Sequence, residues 1–222
     1  MPDYQFWNER WLNNQIGFHM NAPHKSLIEF IDLFKGHKKV FVPLCGKSPD
    51  MIFLRQHGLL VIGAEFSEIA ILDFIKENNL TMVKHEVRDL VYYEGDGFKI
   101  YQGDLFKLTE LDLAGITCCY DRASMVAFNQ QERINYSQFL INIGKDLTMI
   151  LAPLLDYGEV LDAGPPFSVT AQELSQLYGE FLDLEVLKSV EVALRDSFKL
   201  KGATSEKEVT WLFKKKIKSL KS

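Results

Sequence analysis

An α/β fold built on a mostly parallel, seven-stranded sheet is predicted by three features of the sequence. Apolar runs such as Val40-Phe41-Val42 are continuous rather than alternating, the pattern of strands covered on both faces. Segments with helical spacing and identifiable caps separate these runs. The last two strand-like runs follow one another with no helix between them, so the far end of the sheet is expected to be an antiparallel hairpin.

In chain order, an aromatic-rich N-terminal segment leads into "SLIEFIDLF". Leu27, Phe30, Ile31 and Phe34 have helical spacing there, with Ser26 as cap and Glu29 three residues on. "KKVFVPL" is the first strand. In "SPDMIFLRQHG", Ser48 serves as N-cap, Pro49 suits the first helical position and Gly58 follows the last turn. "LLVIGAE" is the second strand, and "SEIAILDFIKENN" a helix capped by Ser67 that ends in Asn78-Asn79. Less regular sequence intervenes before a third strand, "GFKIYQGDLF". "ITCCYDR" is the fourth, "QERINYSQFLINIGK" a helix, and "LTMILAPLL" the fifth. A short helix, "TAQELSQLYG", precedes the two terminal strands "LDLEVLKSVEVAL" and "EVTWLFKKK". This combination is typical of class I methyltransferases.

The letters Gly46-Lys47-Ser48 end a phosphate loop, but the rest of that motif is missing. G-x-x-x-x-G-K-S/T needs a glycine where Phe41 stands inside a strand. The dinucleotide fingerprint G-x-G-x-x-G fails as well, since Cys45 to Asp50 contains a single glycine.

With 222 residues, 47% of them hydrophobic, the chain is long enough to bury a sizeable core, and a single domain over residues 1–222 is expected. Its formal charge of -5 argues against a nucleic-acid surface. The one basic cluster, "KEVTWLFKKKIKSLKS", reads as the solvated end of a strand and a tail. Cys45, Cys118 and Cys119 have neither zinc-site nor C-x-x-C spacing, so no metal is expected and the thiols read as small buried hydrophobes. There is no signal-peptide pattern and no apolar run of the ~18 residues that a membrane span needs. A cytoplasmic protein without membrane association, and a monomer, is the expectation.

Ligands of such folds gather beyond the carboxyl ends of the strands. The residues there are "PLCG", Glu65, "GDLF" and Asp121-Arg122. An acid ending the second strand can accept hydrogen bonds from both hydroxyls of an adenosine ribose. Asp104 can accept one from an adenine amino group, with Leu105 presenting an apolar wall or a backbone N–H. Gly46 supplies the turn at this crevice. Each has a plainer reading: a solvated strand end for Glu65, a loop-capping carboxylate for Asp104, a surface charge for Lys47, and a local ion pair for Asp121 with Arg122. NAD enzymes share the ribose acid, but the glycine-poor first loop does not favour a pyrophosphate.

"FWNERWLNNQIGFHM", "VFVPLCGKSPDMIFLRQHGLLVIGAEFSE", "CYDRASMVAFN" and "GPPFSV" occur in this order. Together they resemble the thiopurine S-methyltransferase family, particularly its bacterial branch, from about Phe6 to the final strand. W-x-x-R-W followed by I-G-F-H and F-V-P-L-C-G-K is far more specific than a generic methyltransferase signature. The resemblance implies transfer of a methyl group from S-adenosylmethionine to the sulfur of small aromatic or heterocyclic thiols, thiopurines among them. It also implies cofactor contacts at Trp11, Leu44, Glu65 and Arg122, with Asp104 and Leu105 bordering the adenine. The family's acid at that last position is not universal. Ser124-Met125 and Phe128 stand where relatives often carry Ala-Leu and Leu or Ile, changes expected to resize the acceptor pocket.

Residues 1–25 then read as an aromatic lid whose Phe6, Trp7, Trp11, Ile16, Phe18 and His19 can cover a cofactor and exclude water. The acceptor is expected among this lid, with Phe18, the "DRASMVAFN" wall and the "GPPF" loop, where Pro165-Pro166 restricts the chain ahead of Phe167. Arg195 is a second positive candidate, because family members carry basic residues near the acceptor mouth. No dedicated base is required, so Arg122 is assigned an orienting, electrostatic role. A selenium or tellurium acceptor, or a non-catalytic ligand-binding protein on the same fold, are the alternative readings.

Overall fold

The computed structural model describes residues 4–88, 90–158 and 164–216. The first three residues of the lid segment and the end of the basic tail, 217–222, lie outside the described residues.

The aromatic N-terminal segment forms α1 (Tyr4–Leu12) followed by irregular chain. The next helix is shorter than its apolar spacing predicts: α2 (Lys25–Glu29) breaks at Phe30 and continues as a 3-10 turn, Ile31–Phe34. Its cap is His24 rather than Ser26. The His24 ring accepts the Ser26 N–H through Nδ1 at 3.2 Å, while Asp50 Oδ1 accepts the His24 N–H at 2.6 Å. A ring nitrogen thus occupies the capping position that sequence preference assigns to a hydroxyl.

β1 (Lys39–Pro43), α3 (Pro49–Gln56), β2 (Leu60–Glu65) and α4 (Glu68–Glu77) follow the predicted order. The caps are those the sequence predicts. Ser48 Oγ accepts from Asp50 N at 3.2 Å with Pro49 at the helix start, and Ser67 Oγ accepts from Ala70 N at 3.5 Å. α4 ends at Asn78, and Asn79 turns the chain with φ +51°.

The stretch without clear periodicity holds an antiparallel hairpin, β3 (Val83–Val87) and β4 (Leu90–Gly95), which pairs with β5 (Phe98–Gln102). β3 is exposed throughout. A strand with no buried face carries no hydrophobic alternation by which to recognise it.

Then come β6 (Cys118–Tyr120), α5 (Ser124–Ala127), α6 (Gln130–Ile143), β7 (Met149–Asp156), α7 (Ala171–Tyr178), β8 (Leu182–Glu191), α8 (Asp196–Lys199) and β9 (Lys207–Lys215). Among the described residues, hydrogen-bonded strands run in the order β3-β4-β5-β2-β1-β6-β7-β9-β8, nine strands with the outer β3-β4 hairpin included. β1 pairs with β2 and β2 with β5 in parallel; β9 pairs antiparallel with both β7 and β8, with an irregularity between Val186 and Lys188. This is the predicted Rossmann-like sheet with a C-terminal hairpin. Contacts group the chain into two compact units, one through Cys118 and one from Cys119.

The central strands are buried along their length, from Val40 to Pro43 in β1 and from Val61 to Glu65 in β2. The three cysteines are buried free thiols, and desolvation pushes those of Cys45 and Cys118 upward, Cys118 to about 12. Among the described residues no helix is long and apolar enough to cross a membrane.

α6 starts on a full capping box: Asn129 Oδ1 accepts from Glu132 N at 3.0 Å, and Glu132 Oε2 accepts from Asn129 N at 3.0 Å. Asn129→Ala removes one arm and leaves an orphan donor. Equilibrium urea unfolding is expected to show a loss of about 1 kcal/mol with an unchanged slope.

Candidate active site

The parallel pairing of β1 with β2 and of β2 with β5 brings the carboxyl ends of the three strands into line. Cys45 N–H continues the β1–β2 ladder by donating to Ala64 O at 3.1 Å. The chain then turns through Leu44 at φ +44° and Gly46 at φ +51°, both in the left-handed region. For a leucine this conformation costs about 1–2 kcal/mol through the clash of Cβ with the following carbonyl, so the surroundings must hold it in place.

Glu65, at the end of β2, does much of that holding. Its side chain is buried, with 7% exposure for the residue. Oε2 accepts the Gly46 N–H at 2.8 Å and Oε1 accepts the Ser67 N–H at 2.8 Å. Its backbone carbonyl accepts the Gly103 N–H at 2.9 Å, which ties in the turn after β5. Burial raises the carboxyl pKa above the ordinary 4.5, with backbone N–H groups of Ser67, Gly46 and Phe66 opposing the rise. Each carboxylate oxygen has two acceptor positions. The Gly46 and Ser67 N–H groups fill one position on each oxygen, and the carboxylate keeps acceptor capacity beyond its backbone partners.

Lys47 is turned away from this work. Its ammonium lies 2.6 Å from Glu77 and 3.4 Å from Asp73 on α4. Desolvation acts to lower its pKa, but the bond and charge of Glu77, with Asp73, raise it on balance. The phosphate-loop lysine letter is thus a buttress between the first turn and a helix.

α1 lies over this crevice through aromatic contacts. Tyr4 stacks on Phe66 with centroids 4.2 Å apart, and Phe66 sits between Glu65 and Ser67 in the chain. At its other end Trp11 is buried against Gly46: a Cβ there would meet Trp11 Cζ2 at 3.1 Å. Phe18 packs edge-on against both Trp7 and Trp11, at 5.4 and 5.6 Å, and keeps 41% of its surface exposed. Gly46 therefore answers to two demands, the left-handed turn and the close approach of the indole.

Asp104 and Leu105 follow the Gly103 turn. Asp104 caps the short 3-10 turn Leu105–Lys107, its Oδ1 accepting from Phe106 N at 2.9 Å. The loop-capping reading of this carboxylate is thus realised through one oxygen. Leu105 is buried.

The second unit carries the remaining candidates. Arg122 is half-buried on the turn between β6 and α5. Its neighbour Asp121 is fully buried: Oδ2 accepts the Tyr136 hydroxyl at 2.7 Å and Oδ1 the Ser124 N–H at 2.9 Å. Burial raises the Asp121 pKa against these bonds, and burial first, then the Asp121 charge, pushes Tyr136 well up, so the phenol keeps its proton and donates. Phe167 N–H donates to Val126 O at 2.6 Å, which brings the "GPPF" and "DRASMVAFN" segments together. A side chain at Gly164 would run into the Phe167 ring. Tyr157 fixes the same loop, donating through its hydroxyl to Pro166 O at 2.8 Å.

Two expectations change here. Ser124, Met125 and Phe128 are all at most 1% exposed, so their departure from the family pattern alters packing beneath the turn and not the lining of an open pocket. Arg195 caps α8, and its guanidinium is committed to buried Glu206, at 2.8 Å from Nε, and lies over the Phe198 ring at 4.4 Å. It closes its own loop.

The family model for thiopurine S-methyltransferases matches residues 2–216. The chain belongs to the thiopurine S-methyltransferase family. A thiopurine S-methyltransferase of Pseudomonas fluorescens is 38% identical over 88% of this chain and 90% of its own length, and one of Nitrosospira multiformis is 35% identical over 94% and 96%. Among solved structures, an S-adenosylmethionine-dependent methyltransferase of Anabaena variabilis superposes with a TM-score of 0.62 at 16% identity, covering 97% of each chain. The magnesium protoporphyrin IX methyltransferase of Synechocystis, solved with S-adenosylmethionine bound, gives 0.61 at 10% identity over 96% of this chain and 98% of its own. These likenesses establish the class I methyltransferase fold.

For this member of the thiopurine S-methyltransferase family, the sequence does not reveal which residues hold the candidates in place. Ser67 and Phe66 do so around Glu65, and Arg133 and Glu173 around the second-unit turn. One signal was available for Arg133: with Tyr136, Ser137 and Leu140 it falls at helical spacing on the buried stripe of α6. An arginine on such a stripe needs buried partners.

Gly46→Ala places a methyl group against Trp11 and a Cβ in the left-handed region. The expected result is a loss of about 1–2 kcal/mol in unfolding free energy, with red-shifted tryptophan emission as the indole is displaced. Unchanged emission and stability would show that Trp11 does not rest on this turn.

Proposed function

We propose that this protein transfers the methyl group of S-adenosylmethionine to the sulfur of a small aromatic or heterocyclic thiol, thiopurines included. The observation that carries the reading is the Glu65 carboxylate, buried at the end of β2 and held by two backbone N–H groups with acceptor capacity to spare. A ribose with two adjacent hydroxyl donors suits it, the names of the relatives agree with that acceptor, and the S-adenosylmethionine-bound structure of the same fold agrees with that cofactor.

The residues present fit the cofactor. Glu65 would take the ribose hydroxyls, Leu105 and Asp104 would border the adenine, and Trp11 with the Leu44–Gly46 turn would cover the methionine end. S-adenosylmethionine, when bound, supplies a methyl group already activated on a sulfonium. An acceptor sulfur would take that methyl group, with S-adenosylhomocysteine as the second product and, from a neutral thiol, a proton passed to solvent. The protein therefore contributes by holding and orienting rather than by a dedicated base. Arg122 contributes a fixed positive head that favours an anionic or electron-rich acceptor, and α1 with Phe18 excludes water. Phe167 is proposed as an apolar acceptor contact. Arg195, held by Glu206, is left out of the acceptor site.

A panel of thiopurines, thiophenols, selenols and catechols, incubated with labelled S-adenosylmethionine and resolved by mass, tests the reaction. Preferential S-methylation is expected, reduced in Arg122→Ala while cofactor binding largely persists. Oxygen or nitrogen methylation alone contradicts the sulfur assignment, preferred turnover of selenols moves the acceptor to selenium, and no turnover supports a binding protein. By calorimetry, Glu65→Ala is expected to weaken S-adenosylhomocysteine binding by about 1.5–3 kcal/mol, tenfold or more.

A further inference from the structure

The turn that carries Arg122 is held by a side chain outside it. Arg133, on α6, is 5% exposed. Its Nη1 donates to Met125 O at 3.1 Å and to Phe128 O at 2.9 Å, the carbonyls at the far side of the Arg122–Phe128 turn. Its Nε and Nη2 donate as a fork to Glu173, at 2.6 Å to Oε1 and 2.9 Å to Oε2. Glu173 stands in the first turn of α7, a few residues after the "GPPF" loop. That loop in turn donates from Phe167 N to Val126 O between the two carbonyls that Arg133 holds.

One guanidinium therefore fixes both segments that the acceptor reading depends on. Its planar set of donors reaches a carboxylate and two carbonyls at once, which an ammonium on a flexible stem cannot reproduce. Buried ion pairs seldom stabilise a fold more than apolar residues of the same volume would. The pair is better explained by the geometry it imposes than by the stability it adds.

We infer that Arg133 is a positioning residue for methyl transfer, setting the Arg122–Phe128 turn and coupling it through Glu173 to the Gly164–Phe167 loop. The inference rests on the proposed reaction and on the acceptor role of Arg122. It assigns Arg133 no contact with acceptor or cofactor. It also separates two quantities: the Arg133 clamp governs acceptor use more than cofactor affinity, which depends chiefly on Glu65 in the first unit.

The test uses full-length Arg133→Lys and Glu173→Gln beside the wild type, with the acceptor that the wild type methylates best. The measurements are kcat and KM for the acceptor, the S-adenosylhomocysteine Kd, and the thermal midpoint, with kinetics taken well below each midpoint. Arg133→Lys is expected to lose tenfold or more in acceptor kcat/KM with the S-adenosylhomocysteine Kd within about twofold of wild type. Glu173→Gln, which leaves the bonds to Met125 and Phe128 in place, is expected to lose less in the same direction. It also keeps the test decisive should Arg133→Lys fail to fold. Wild-type acceptor kinetics in either folded variant, or equal losses in acceptor use and S-adenosylhomocysteine affinity, would overturn the inference, the second because general loosening of the fold weakens both. A wild type that methylates no acceptor overturns the proposed reaction and this inference with it. That outcome is read before any variant is made.

Discussion

A single buried residue, Glu65, joins the ends of three strands through its carboxylate and its main-chain carbonyl. Glu65 takes the Gly46 N–H on one oxygen and the Ser67 N–H on the other, while its main-chain carbonyl takes the Gly103 N–H. A charge with so little exposure is costly unless it is bonded, and the upward push on its pKa is the mark of that cost. The turn it holds is itself strained at Leu44 and left-handed at Gly46. That turn seats Trp11, and Phe66, next to Glu65, seats Tyr4. Remove the carboxylate, and the first loop, the start of α4 and the aromatic cover all lose a reference point, while the main-chain bond to the turn after β5 remains.

The second unit repeats the device with different chemistry. Its turn is held through a carboxylate at one end, where Asp121 accepts from Ser124 N–H and the Tyr136 hydroxyl, and through a guanidinium at the other, where Arg133 donates to two carbonyls. In both units short irregular segments carry part of the candidate site, the Leu44–Gly46 turn in one and the segment at Arg122 in the other, and buried polar side chains fix those segments. Rigid elements supporting an irregular site are the usual way to hold reacting groups within a fraction of an ångström.

How much of this the sequence revealed depended on whether the physical signal was local. Strands β1 and β2 announce themselves by continuous apolar runs, and Ser48 and Ser67 by their position before a helix. Glu65 was legible because fold order alone puts an acid at a strand's carboxyl end. β3 was not, since Val83, Lys84, His85, Glu86 and Val87 are all exposed and bury no face. His24 was not either, because a capping imidazole depends on Asp50, distant in sequence, to hold its backbone N–H. The commitment of Arg133 to Glu173 is likewise a pairing across 40 residues that no window of sequence displays, and that of Arg195 to Glu206, 11 residues apart, depends on how the intervening loop closes. Ser124, Met125 and Phe128 stood in a segment read as pocket wall, yet whether such side chains face in or out is decided only when α5 packs.

The most direct measurement of the central claim is a pH titration of the Gly46 and Ser67 backbone amide resonances by nuclear magnetic resonance. Because both N–H groups bond to one carboxylate, they should shift together with a single midpoint above the ordinary 4.5 of glutamate. Saturating S-adenosylhomocysteine should move that midpoint to lower pH, since ribose hydroxyls donating to Glu65 favour its charged form. Separate midpoints for the two amides, or a common midpoint that the ligand leaves in place, would contradict the account.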